Sequence, residues 1–200
     1  MTEGFCTRYL YYLDSLGVRV RKLSSRAQLA LLWVLGEGLL VGLEAPDDWW
    51  EWIRKASSLG FRYVTTGEDL DDSSQMRAQF SDLCGTEEEM SEHLQSVIGC
   101  FFYAMGDYDG PRSARTVSFS FVFFPLMQSE SLRLFEDVAQ GDDEQEDEAF
   151  SQPRVQLAVR YVDGIVDRLA ETPEPTAEFL KGIQYGSEVL SPCHEPGMRD

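Results

Sequence analysis

The most apolar stretch of the chain runs from Leu29 to Leu43 and is interrupted only by Glu37 and three glycines. Taken with Ser25–Gln28 before it, the segment 25–43 is apolar nearly all round, the pattern of a helix buried on most sides. It falls short of the roughly 20 residues that a membrane-spanning helix needs. Ser25 and Gln28 have the S-x-x-Q spacing of a capping box at its start.

Helical periodicity recurs on both sides. Phe5, Tyr9, Tyr12, Leu13 and Leu16 share one face, and Gly17 is placed to end that helix. Pro46 and Asp47 open another, with Trp49, Trp52, Ile53 and Ala56 on one side and Gly60 at its expected end. Met76, Phe80 and Leu83 make a short stripe. Thr86 and Glu89 form a second capping box ahead of Met90, Leu94, Val97, Ile98, Phe101 and Met105. A short helix is expected near 130–139. Pro153 suits the first position of a helix carrying Val155, Val159, Val162, Val166 and Leu169, and Phe179, Ile183 and Leu190 mark a last one.

Two segments depart from this period. Phe61, Tyr63 and Thr65 alternate, as do Val117, Phe119, Phe121 and Phe123 against Ser118 and Ser120, which is strand spacing. They leave open a minor two-stranded β element pairing 61–66 with 116–124. A helix kinked near Pro125 fits 116–127 equally well. The expected architecture is therefore mainly α, a single helical domain over 1–190. It carries an acidic loop at 141–150 and a flexible tail at 191–200.

The chain of 200 residues has 17 Lys+Arg against 35 Asp+Glu, a formal net charge of −18. That balance excludes a nucleic-acid backbone and an anionic membrane as partners, since both require a basic surface. The N-terminal stretch has no basic region followed by an apolar one, so it lacks the pattern of a secretion signal. The four cysteines, Cys6, Cys84, Cys100 and Cys193, are scattered without a C-x-x-C pair, and a cytoplasmic setting is expected.

The acids are clustered. Between Glu68 and Glu92 lie nine acids and one base, Arg77, and residues 142–148 hold six acids and no base. Residues 1–28, by contrast, carry five bases and two acids. Such patches keep a protein dispersed, and they also form a docking face for a basic partner. Trp50 points about 100° away from Trp49 around its helix and is ringed by Asp47, Asp48 and Glu51, the setting of a binding anchor. The expected docking residues are Trp50, Asp69, Asp71, Asp72, Glu87 and Glu88.

No phosphate-cradling loop is present, because GEGLLVG at 36–42 lies within the apolar run and follows no strand. Cys84, His93 and Cys100 are spaced too widely for a compact zinc site. Asp163 and Asp167 share a helical face and, with Glu92 and Asp107, offer carboxylates for a metal in a bundle. Neither His93 nor His194 follows a Glu at the three-residue interval of di-metal bundles. No cofactor, catalytic residue or metal ligand is assigned.

The segments SSRAQLALLWVLGEGLL, MSEHLQSVIGCFFYAM and AFSQPRVQLAVRYVDGIVDRL occur in the order and at intervals similar to those of the YjaG-like proteins, a bacterial all-helical family of unknown function. The chain resembles that family over most of its length. The resemblance implies a helical 116–127 and supplies no catalytic residues.

Together these features favour a non-enzymatic acidic binding protein, an immunity or antitoxin type that neutralises a basic partner such as a nucleic-acid-targeting toxin. Two other readings stay open. One is a metal-dependent enzyme with a carboxylate site in the bundle; the other is a regulatory subunit that forms a homo-oligomer through apolar surfaces.

Overall fold

The computed structural model describes residues 7–68, 72–84, 90–105, 122–135 and 143–193. Among them the chain is mainly α-helical and shows no strand. The helices are α1 (Arg8–Val20), α2 (Ser25–Leu39), α3 (Asp47–Thr66), α4 (Asp72–Cys84) and α5 (Glu92–Ala104), followed by α6 (Phe124–Leu134), α7 (Asp143–Phe150), α8 (Pro153–Glu171) and α9 (Ala177–Gln184). A 3-10 turn, Ser187–Leu190, closes the series.

Helix α2 is the axis of the bundle. It packs against α3, α5, α8, α9 and the 3-10 turn. Leu29, Leu31, Leu32, Val34, Leu35 and Leu39 are all buried, as an all-round apolar sequence requires. Its cap lies one residue earlier than the S-x-x-Q spacing suggests. Ser24 Oγ accepts from Ala27 N at 3.1 Å, and the Gln28 amide reaches back to the Leu23 carbonyl at 3.0 Å. Gly36 and Gly38 sit where neighbours come closest, against Phe101 of α5 and the Ser187 carbonyl.

Several boundaries differ from the sequence reading for identifiable reasons. Gly17 is buried inside α1, which runs on to Val20. The segment 61–66 is not a strand. It is the end of α3, and Gly60 meets Ala104 of α5 there instead of stopping the helix. Phe61 packs on Trp33 with ring centroids 5.1 Å apart, Val64 is buried, and Arg26 of α2 caps the Val64 and Thr65 carbonyls at 2.7 and 2.9 Å. These contacts outweigh the β preference of a Tyr-Val-Thr-Thr sequence. The true stop is Gly67, which adopts φ 73°, a left-handed conformation suited to glycine.

The β pairing of 61–66 with 116–124 is thereby excluded on one side. Of its other strand, 116–121 lies outside the described residues, and Phe124 already belongs to α6. Pro125 stands in the first turn of α6, where its missing N–H costs nothing, so it opens that helix and does not kink it. The short helix expected near 130–139 is this element, ending at Leu134. The Thr86–Glu89 capping box lies outside the described residues, and α5 begins instead under Ser91, whose Oγ accepts from Leu94 N at 3.2 Å.

The acidic segment expected as a loop at 141–150 is helical from Asp143 to Phe150. Asp143, Glu144 and Glu146 occupy the first turn, where the helix dipole favours negative charge. Ala149 and Phe150 are buried at the other end, Phe150 between Tyr9 and Tyr12 of α1 at 5.6 and 5.7 Å. The start of the expected tail is likewise fixed. Ser191 is wholly buried, its hydroxyl bonds the Val41 carbonyl, and Arg154 donates to the Ser191 and Pro192 carbonyls. Residues 194–200 lie outside the described set. No helix among the described residues is long and apolar enough to cross a membrane.

Candidate functional site

Of the six expected docking residues, the structure places the side chain of one, Trp50. Asp69, Asp71, Glu87 and Glu88 lie outside the described residues. Asp72 opens α4, and its side chain is likewise outside the description. Trp50 is half-buried against the core on α3, beside exposed Asp47, Asp48 and Glu51. Its neighbours are more deeply committed. Trp49 is fully buried, and Trp52 donates from Nε1 to the Met76 carbonyl at 2.9 Å, tying α3 to α4. Glu51 pairs with Lys55 at 2.7 Å, which holds its carboxyl below the usual range.

The acidic surface whose geometry is described belongs to α7. With about 100° between successive residues, Asp143, Glu144 and Glu148 fall within one arc of α7, opposite Ala149. Asp143, Glu144 and Glu148 are exposed. Asp147 is turned toward α1, where its carboxylate accepts from the Arg8 backbone N–H at 2.6 Å and faces the Arg8 guanidinium at 3.5 Å. The acids are thus held on a helix stapled to α1 by Phe150 and Asp147. The signal that a sequence reading could have used is the apolar pair Ala149–Phe150 directly after the acid run.

Two of the four carboxylates offered as metal ligands have other occupations. Asp163 and Asp167 of α8 both clasp Arg19 of α1, with the Asp167 contact at 2.8 Å. Burial disfavours the Arg19 charge, but the two carboxylates outweigh it and raise its pKa. Glu92 carries one buried carboxylate oxygen with no hydrogen-bond partner among the described residues, and burial raises its pKa. Asp107 lies outside the described residues. His93 Nε2 lies 2.6 Å from the Leu39 carbonyl at the end of α2; burial lowers its pKa more than this bond raises it. Cys100 is wholly buried, which pushes its thiol up to about 12. Among the described residues no three His, Cys, Asp or Glu side chains converge as metal ligands.

Two further polar groups lie inside the bundle. Glu130 of α6 is 1% exposed and is held by Arg133 at 2.6 Å and by Arg154 of α8 at 3.2 Å. Glu37, the one charged residue of the apolar run, is half-buried between α2, α3 and α9. Its carboxylate accepts from Ser57 Oγ at 2.5 Å and from Gln184 Nε2 at 3.0 Å.

No protein-family model matches the chain, and no curated protein or solved structure matches it.

Proposed function

We propose that this protein is a non-enzymatic acidic binding protein of the immunity or antitoxin type, which works by docking its carboxylate surface on a basic partner. The observation that supports the reading is the anchoring of α7. A run of acids that only wetted the surface would not need a helix fixed at its far end by a buried phenylalanine and an Arg8–Asp147 contact. Acids fixed in space are organised before encounter, so less ordering entropy is lost on binding.

A basic protein that handles nucleic acid must present cations to phosphates. A fixed carboxylate row occupies that groove by imitating the substrate's charge. The benefit lies first in rate: opposed fields lift association from about 10⁵–10⁶ to as much as about 10⁸–10⁹ M⁻¹s⁻¹ at low salt. Trp50, beside Asp47, Asp48 and Glu51, would add an aromatic contact on α3. The same reading sets the protein in the cytoplasm, in keeping with the free thiols of Cys100 and Cys193. The resemblance to the YjaG-like family supplies no residues for this function.

Affinity capture from the native cell tests the proposal. The wild-type chain should retain one strongly basic protein. A variant with Asp143, Glu144 and Glu148 changed to their amides, or with the acids of 68–72 and 86–92 neutralised, should release it. Retention of only small molecules, or of no basic protein, would overturn the proposal.

A further inference from the structure

The position of Glu37 is unusual for a carboxylate. It lies in the largely apolar axial helix α2, and its hydrogen-bond partners, Ser57 of α3 and Gln184 of α9, are both neutral. Ser57 is held in turn by Trp33 of α2, whose Nε1 donates to the Ser57 carbonyl at 3.0 Å and to its hydroxyl at 3.3 Å. One carboxylate therefore joins three helices, with no ion pair to it among the described residues.

Among the described residues, the cations of the surrounding elements stand apart from Glu37. From α5, the Cys100 thiol packs against Gly36 and is neutral in its burial, and His93 Nε2 lies 2.6 Å from the Leu39 carbonyl, with burial lowering its pKa. On α3, Arg54 lies one turn before Ser57 and is exposed; on α9, Lys181 lies one turn before Gln184 and is exposed. Neither forms an ion pair with Glu37. On α8, the Tyr161 hydroxyl donates to the Ile183 carbonyl at 2.7 Å, and Glu188 of the 3-10 turn acts on Tyr161. Buried carboxylates are normally matched by a cation, as Glu130 is here, because desolvation penalises an isolated charge.

We infer that Glu37 is a proton-operated latch: gain of a proton by its carboxyl tightens the seating of α9 and the following 3-10 turn on α2 and α3, and loss of that proton loosens it. Both states can be bonded. The carboxylate accepts from Ser57 and Gln184. The carboxylic acid donates its proton to Ser57 Oγ, while Gln184 continues to donate to the other oxygen and Trp33 to the Ser57 carbonyl.

The sign follows from burial, which raises the Glu37 pKa; the two hydrogen bonds oppose that shift without cancelling it. The folded state thus holds the proton more tightly than the open one. The stabilisation is complete below the ordinary carboxyl range and is lost as pH rises through the raised value.

The test is amide hydrogen exchange of the full chain between about pH 5 and pH 8, corrected for intrinsic rates, with α9 amides compared to those of α8. Wild-type α9 protection should fall by several-fold, at most about tenfold per pH unit for one proton, and then level off. In Glu37→Gln the carboxamide accepts from Ser57 and pairs with Gln184 after that amide turns over, so α9 protection should be flat. An unchanging wild-type profile, or the same slope in Glu37→Gln, would overturn the inference. If the variant does not fold, carbon-13 titration of the wild-type carboxyls decides. A Glu37 midpoint above the ordinary range of about 4.3 that coincides with the α9 transition supports the latch, and one at or below it refutes it.

Discussion

Glu130 and Arg154 meet across the junction of α6 and α8, with Oε1 3.2 Å from Nη1 and the carboxylate almost wholly excluded from solvent. The same guanidinium donates to the Ser191 and Pro192 carbonyls, so one arginine ties α6, α8 and the C-terminal segment together. Removing the carboxylate leaves a largely buried cation unmatched. Glu130→Ala should cost about 3–5 kcal/mol in chemical denaturation, the range for breaking one side of a buried pair. It should also free residues 191–193 to exchange.

Two glycine substitutions should act in opposite directions. A Cβ on Gly38 would be driven into the Ser187 carbonyl oxygen, a backbone atom that cannot turn aside. Gly38→Ala should cost at least about 1–3 kcal/mol through overpacking. A Cβ on Gly99 of α5 meets nothing within 4 Å. Gly99→Ala should stabilise by about 0.5–1 kcal/mol, because alanine loses less backbone freedom in a helix. Thermal or denaturant melts of the two variants check both signs.

His93 gives a pH dependence opposite to that of Glu37. Burial lowers its pKa, so between the lowered value and the ordinary one near 6.5 the unfolded chain binds the proton that the folded chain refuses. Its contribution to stability is complete above about 6.5 and is lost as pH falls through the lowered value. Proton NMR of the ring should give a midpoint below the ordinary histidine value. His93→Gln should remove that part of the acid sensitivity.

Phe150→Ala separates charge from its display. The substitution leaves all 35 acids in place but removes the ring that packs between Tyr9 and Tyr12. Loss of a buried phenylalanine costs about 3 kcal/mol, enough to release an eight-residue helix from the bundle. Partner retention should fall although the net charge is unchanged. Hydrogen exchange at 143–150 reports whether the helix has been released.

The helical class and the buried axis were legible because α2 carries its pattern on every side, and no local ambiguity survives that much apolar surface. The ends of elements were less so. Phe61–Thr66 alternates like a strand; the contacts that make it helix come from Arg26, Trp33 and Ala104, which are distant in sequence. The acid run 142–148 reads as a loop by charge repulsion alone; the contacts of Asp147 with Arg8 and of the following Phe150 with Tyr9 and Tyr12 show why part of it is helix. Ser191 reads as the start of a tail because its anchors, Val41 and Arg154, lie far along the chain. Trp50 is half-buried against the core, so its neighbours Asp47, Asp48 and Glu51 did not by themselves establish an exposed anchor. Glu130, an acid flanked by serines, carries no sign of its burial in the sequence.

The most direct test of the docking account is the association rate of the captured basic protein as a function of ionic strength. For the wild-type chain the rate should fall by about tenfold or more from about 0.05 M to about 0.5 M salt, as screening shortens the reach of the acidic field. For the chain with Asp143, Glu144 and Glu148 amidated, it should start lower and vary less. Equal rates and equal salt slopes for the two chains would contradict the account.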